Sequence, residues 1–332
     1  MAIYQHADTA IWKGRVDGNT PDVLRWHQVM RCVNLETESL PQIGEKHQGI
    51  AFIGFCCDEG VRRNQGRVGA VSAPRFIREA CKNFPLNASH IVLTDLGDIV
   101  CNDQDLEAAQ EALGKVVASA KAANYLPIVL GGGHEVAWAN FLGIQPHLKG
   151  QEFGIINFDA HFDLREPEKN KASSGTGIWQ MQDWCGAHQY PFHYLAIGIQ
   201  QYSNTRRLFQ TADDIGARYF LAEHFTNDQL EALITAVNAT MANADVLQLT
   251  IDMDVFAACH APGVSAAAFN GIAPNSMFKR LLRHIVISGK VCSVDIAEVN
   301  PVFDQDQRTA RLAASLIFDI VQAADTSVEY PG

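Results

Sequence analysis

The chain has 332 residues, of which 47% are apolar and 19% charged, and its formal net charge is −11. Those proportions exclude a disordered chain, and an acidic balance with scattered Lys and Arg argues against nucleic acid as a partner. The length suits a single α/β enzyme domain with one large core.

The N-terminal "MAIYQHADTAIWKGR" has polar and charged residues where a signal peptide needs an apolar centre, and no later apolar run reaches membrane-spanning length. A cytoplasmic protein without membrane contact is expected. Residues 1–48 follow no regular alternation and read as an N-terminal arm or lead segment ahead of a catalytic domain over 49–332. From there, apolar runs closed by Gly or Asp alternate with segments of helical period. "GIAFIGF" predicts a strand, "SAPRFIREACKNF" a helix, "IVLTDLGD" a strand, "DQDLEAAQEALGKVVASAKAA" a helix, "LPIVLGGG" a strand and "HEVAWANFLG" a helix. The strands "FGIINFDAH", "HYLAIGI" and "GARYF" follow, then the helix "NDQLEALITAVNATMA" and the strand "VLQLTIDMD". The helix "APNSMFKRLLRHIVI", the strand "VCSVDIAEV" and the helix "DQRTARLAASLIFDIVQAA" close the chain. That order predicts a three-layer α/β/α sandwich around a mostly parallel, eight-stranded sheet. The eight cysteines contain no C-x-x-C pair and no framework spacing, so reduced, mostly buried thiols are expected.

In open parallel sheets function gathers beyond the carboxyl ends of the strands. Four of those ends carry chemistry. "LPIVLGGG" leads into His134 and Glu135, "GIINF" into Asp159, His161 and Asp163, "LQLTI" into Asp252 and Asp254, and "VCSVDIA" into Glu298. In extended backbone alternate side chains share a face, so Asp252 and Asp254 can converge, as can Asp159, His161 and Asp163 if their loop curls. Four clustered carboxylates repel one another unless cations neutralise them. Two divalent ions would do so, and oxygen-rich donors with some imidazole favour Mn²⁺ over Zn²⁺. Taken singly, each piece has a bland alternative: an Asp-x-Asp pair can be a turn or cap, and "GGGHE" a tight turn whose histidine caps a helix. Three such blocks at strand ends together point to a metal site.

The blocks "GGGHE", "DAHFD" and "TIDMDVFAACHAPGVSA", with "GVRRNQGRVGAVSAPRFIR" upstream, resemble the signatures of the ureohydrolases, the arginase and agmatinase superfamily, over about residues 48–325. The resemblance implies an arginase-like fold and two Mn²⁺ per subunit. His134, Asp159, Asp163 and Asp252 would hold one ion, Asp159, His161, Asp252 and Asp254 the other, with Glu298 beside the substrate cation. It also implies a homo-oligomer, trimer or hexamer.

Two departures narrow the choice. Where arginases and agmatinases carry a histidine after the "DAH" block, Ser174 stands, so the usual proton shuttle is absent and Asp163 is the candidate carrier. Arg165, two residues past a metal ligand, would repel a guanidinium substrate but welcome a carboxylate. "DAHFDLR", "SSGT" and "APGVSA" look most like the branch of the family that hydrolyses N-formimidoyl-L-glutamate to L-glutamate and formamide in histidine breakdown. Arg165 would grip one substrate carboxylate, unless it pairs with Glu166. Arg63, Asn64, Arg67 and Asn204 are candidates for the other. The alternatives are a ureohydrolase that releases urea, such as an agmatinase or guanidino-acid hydrolase, and a non-catalytic metal-binding protein of the same fold.

Overall fold

The computed structural model describes residues 3–169 and 171–325. Ten strands are present among the described residues: β1 (Ile3–Gln5), β2 (Arg31–Cys32), β3 (Gln48–Cys56), β4 (Ile91–Val100), β5 (Tyr125–Leu130), β6 (Phe153–Phe158), β7 (Phe192–Ile199), β8 (Arg218–Leu221), β9 (Val246–Asp252) and β10 (Val291–Ala297). The helices are α1 (Trp26–Val29), α2 (Glu59–Arg63), α3 (Ala73–Cys81), α4 (Leu106–Ala122), α5 (Val136–Ile144), α6 (Gly177–Ala187), α7 (Arg206–Asp214), α8 (Leu230–Asn243), α9 (Ser276–Ile287) and α10 (Arg308–Ala324).

The strands form one sheet in the order β1-β4-β3-β5-β10-β9-β6-β7-β8, with β2 pairing β4. β3 to β10 pair in parallel and are the eight predicted strands; β1 joins the edge antiparallel to β4. The central strands are buried throughout, which is why they read as continuous apolar runs rather than alternating ones. α3, α8, α9 and α10 cover one face, and α4, α5 and α6 the other. The three-layer α/β/α sandwich is therefore the architecture found, with the sheet as its middle layer.

The order places β5, β10, β9 and β6 side by side at the centre. These are the four strands whose ends carry His134, Glu298, Asp252 with Asp254, and Asp159 with His161. All four point the same way because each return crosses over through a helix or loop, as parallel pairing requires.

The lead segment packs into the same body. Trp26 is fully buried against Phe52, Phe84 and Phe318, and Trp12 donates its indole N–H to Asp95 Oδ2 at 2.7 Å. Asp95 also receives Arg78 through two bonds of 2.8 Å, while Arg78 Nη1 reaches Asp98 at 2.6 Å. This buried cluster ties α3 and the lead segment to β4. No helix of the described residues is long and apolar enough to cross a membrane, and all eight cysteines are free thiols.

Candidate metal centre

The site begins with three glycines. Gly131 and Gly132 take φ of +77° and +83°, a region open to glycine at little cost, and a Cβ on Gly132 would lie 2.7 Å from the Phe55 ring. The turn they make delivers His134 at the N-terminal end of α5. Its backbone N–H donates to Glu298 Oε1 at 3.1 Å, so the β5 and β10 ends are joined before any metal is considered.

Nδ1 of His134 lies 2.8 Å from Asp163 Oδ2, 2.9 Å from Asp159 Oδ2 and 3.3 Å from Asp252 Oδ2. Nδ1 of His161 lies 3.0 Å from Asp254 Oδ2 and 3.5 Å from Asp159 Oδ1. Asp159 thus reaches both imidazoles, one oxygen to each. Two donor groups capable of holding a cation result, His134 with Asp159 and Asp163, and Asp159 with His161 and Asp254. Asp252 adjoins the first through His134. The carboxylates are also tethered: Asp159 Oδ1 accepts the His161 N–H at 2.6 Å, Asp254 Oδ1 the Ala160 N–H at 3.2 Å, and Asp252 Oδ1 the Asp254 N–H at 2.8 Å. Such bonds from the backbone leave the other oxygens aimed at a shared point.

The residues fit a pair of divalent cations. His134 Nδ1 is buried among three carboxylates yet has no hydrogen-bond partner of good geometry among the described residues, and donor spacings near 3 Å are those of ligands about 2.1 Å from one small ion. The charge balance agrees. Burial opposes charge on His134 and His161, but Asp159 and Asp163 beside the first, and Asp254 and Asp159 beside the second, raise both imidazoles well above their ordinary range. Burial and neighbouring carboxylates also push Asp252 up. So many displaced groups in one place suit a site that holds positive charge.

Asp163 and Glu298 both adopt left-handed backbone, φ of 51° and 65°. Neither is glycine or asparagine, so each conformation is held at some cost. It turns the two side chains into a cavity of about 310 Å³. Burial, with Asp254 nearby, pushes the Glu298 carboxyl up to about 7.

His134, His161, Asp163, Asp252, Asp254 and Glu298 line that cavity, and so do Asn64, Arg67, Arg165, Ser174 and Asn204. Asp159 is fully buried behind them. Arg165 stands exposed at the mouth; its Nη1 donates to Asn64 Oδ1 at 2.8 Å, and Asn64 Nδ2 donates to Ser174 Oγ at 3.1 Å. No ion pair joins Arg165 to Glu166 or to any other acid among the described residues.

Three of the expected substrate contacts are otherwise engaged. Arg63 does not line this cavity: α2 turns it towards α4, and Glu59 of its own helix and Glu107 of α4 take its guanidinium at 2.9 and 2.5 Å. Asn204 spends its amide on the metal loop, accepting from Phe162 N–H and donating to the Ala160 and Gln200 carbonyls. Arg67 bonds the Val264 and Ser265 carbonyls and lies over the Phe303 ring. Gln65, Gly66, Leu208, Ser265 and Ala266 line the cavity as well; all but Leu208 lie in the quoted signature blocks, but none was singled out there. The support behind His134 was passed over in the sequence although it left a signal there: Gln248, Thr250 and Asp295 interrupt apolar strands, and His134 Nε2 lies 2.8 Å from Thr250 Oγ1.

Comparison with known proteins finds relatives over most of the chain. The Arginase family model matches residues 48–322. A formimidoylglutamase from Clostridium tetani is 41% identical, covering 96% of this chain and 95% of its own; one from Aeromonas salmonicida is 42% identical, over 94% and 97%. The crystal structure of Trypanosoma cruzi formiminoglutamase with Mn²⁺ superposes with a TM-score of 0.72 at 27% identity, covering 84% of this chain and 94% of that one. The fold of formimidoylglutamase from Bacillus subtilis superposes with a TM-score of 0.80 at 20% identity, over 95% and 96%. With the family model spanning most of its length and these relatives matching nearly end to end, the chain belongs to the arginase family.

Proposed function

We propose that the protein is a binuclear manganese hydrolase that converts N-formimidoyl-L-glutamate and water to L-glutamate and formamide. The observation that carries this reading is Arg165, a guanidinium without an acidic partner among the described residues, at the mouth of a cavity walled by clustered aspartates and histidines. A substrate with an amidinium at one end and two carboxylates at the other matches that polarity.

His134, Asp159, Asp163 and Asp252 would hold one ion, and Asp159, His161, Asp252 and Asp254 the other. The ions, when bound, supply water that ionises near neutral pH. Glu298 accepts N–H groups of the amidinium and fixes its carbon in the cavity, a positioning effect that can supply much of the rate. Attack of the water oxygen on that carbon is followed by cleavage of the C–N bond to the glutamate nitrogen. Asp163, on the cavity wall, carries the proton to that leaving nitrogen. Arg165, steadied by Asn64 and Ser174, pairs with a carboxylate. We further read the protein as a cytoplasmic homo-oligomer, trimeric or hexameric; its eight free thiols suit a reducing compartment, and exposed Tyr202, Phe269 and Val302 are apolar surface an assembly would cover.

The deciding experiment incubates Mn²⁺-loaded protein separately with N-formimidoyl-L-glutamate, arginine, agmatine and guanidinobutyrate. Formamide and glutamate from the first, with little urea from the others, is the expected result. Release of urea as the dominant product would replace this reading with that of a guanidino hydrolase.

A further inference from the structure

Glu135 follows His134 directly, yet it does not line the metal cavity and is fully buried. Its Oε1 accepts the Gly60 N–H at 3.0 Å, while Oε2 has no hydrogen-bond partner among the described residues. Two glycines make room for the carboxylate: a Cβ on Gly60 would lie 2.5 Å from it, and one on Gly133 2.2 Å. A buried carboxylate oxygen without a donor is destabilising, so a residue that merely filled space here would be apolar. The Gly60 bond extends in a line. The Gly60 carbonyl accepts the Asn64 N–H at 2.9 Å, Asn64 Oδ1 accepts Arg165 Nη1 at 2.8 Å, and Asn64 Nδ2 reaches Ser174 Oγ at 3.1 Å. From the other side, Gln110 Nε2 anchors the Glu135 carbonyl at 2.9 Å.

We infer that Glu135 is a positioning residue that fixes α2 against the metal loop and, through Gly60 and Asn64, sets the place of the Arg165 guanidinium relative to the metal cluster. The inference rests on the proposed function for the identity of the ligand, and on hydrogen bonds alone for the connection. It makes substrate-carboxylate recognition and metal binding parts of one rigid unit, joined at the two adjacent residues His134 and Glu135.

The test uses Mn²⁺-loaded full-length protein and the variants E135A, E135Q, G60A and N64A. Steady-state kinetics on N-formimidoyl-L-glutamate, metal content, and amide hydrogen exchange over residues 58–66 are measured for each. E135A raises KM about tenfold, the effect of a lost bond to a charged group, with kcat changed much less, full metal content and faster exchange over 58–66. E135Q, which keeps an oxygen for Gly60, recovers most of the KM and the protection. G60A, whose Cβ displaces the carboxylate, mimics E135A, and the KM effect of N64A shrinks in the E135A background. Wild-type KM and protection in E135A, or E135Q as impaired as E135A, overturns the inference; should E135A not fold, G60A and E135Q decide. A wild-type protein inactive on this substrate refutes the functional reading instead, and the exchange comparison still decides the role of Glu135.

Discussion

His134 Nε2 lies 2.8 Å from the Thr250 hydroxyl, which in turn donates to Asp295 Oδ1. Asp295 is held by Asn140 and Gln248 at 2.8 and 2.9 Å. Since Nδ1 faces the aspartates, a cation there needs its lone pair, and the ring proton then sits on Nε2 and is donated to Thr250. Thr250 would therefore set the tautomer of His134 as the proposed ligand. T250V removes that acceptor at nearly constant volume and should lower metal affinity about 10- to 100-fold. Competition with a chelator measures it; an unchanged affinity would mean that the tautomer is set without Thr250.

Arg165 is predicted to act on the substrate and not on the metals. R165A should lower kcat/KM by roughly 10- to 100-fold, equivalent to a lost bond to a charged group worth about 1.5–3 kcal/mol. Metal content should stay that of wild type, because Arg165 makes no contact with the donor cluster. Kinetics paired with metal analysis separates the two; loss of metal in R165A would contradict this assignment.

Arg78 bears on stability. It is 2% exposed and engages Asp95, itself fully buried, as well as Asp98. R78A would strand a buried carboxylate that keeps, among the described residues, only Trp12 and the Gly97 N–H as donors, at a cost of about 3–5 kcal/mol. A denaturant midpoint shifted by much less would show that Asp95 finds compensation, through water or by taking up a proton.

Glu59 supplies a pH dependence. Burial pushes its carboxyl up, but hydrogen bonds from Arg62 and Arg63 outweigh that and hold it below the usual range. A carboxylate whose pKa is depressed on folding contributes stability above its unfolded pKa, about 4.3, and loses it as pH falls through the folded value. The thermal midpoint of E59Q should therefore trail wild type at pH 7, and the gap should close on acidification below about pH 4. A gap independent of pH would remove Glu59 as its source.

Most of the fold was legible because buried parallel strands write themselves as short apolar runs, and all eight were found. α6 was not, since it opens on Gly177, contains Gly186 and shows little amphipathic pattern. α7 was readable in retrospect: Leu208 and Ala212, four residues apart, are its buried face. Among the candidate site residues, the proposed metal ligands stood out in the sequence as charges in improbable places. Substrate contacts were harder. Arg63 and Asn64 are adjacent at the end of a short helix, and because each helical residue rotates by about 100°, neighbours face different ways; which of them meets the cavity depends on how α2 packs.

The sequence by itself determined the strands, the donor chemistry and the need for positive charge, because burial and charge repulsion act on residue types wherever they lie. Only the tertiary structure decided that β5, β10, β9 and β6 stand side by side, which brings residues 134, 161, 252 and 298 to one cavity. It also decided that Arg165 stays without an acidic partner among the described residues while Arg63 is occupied, since pairing is settled by which side chains reach each other at about 3 Å and not by the order in which they are strung.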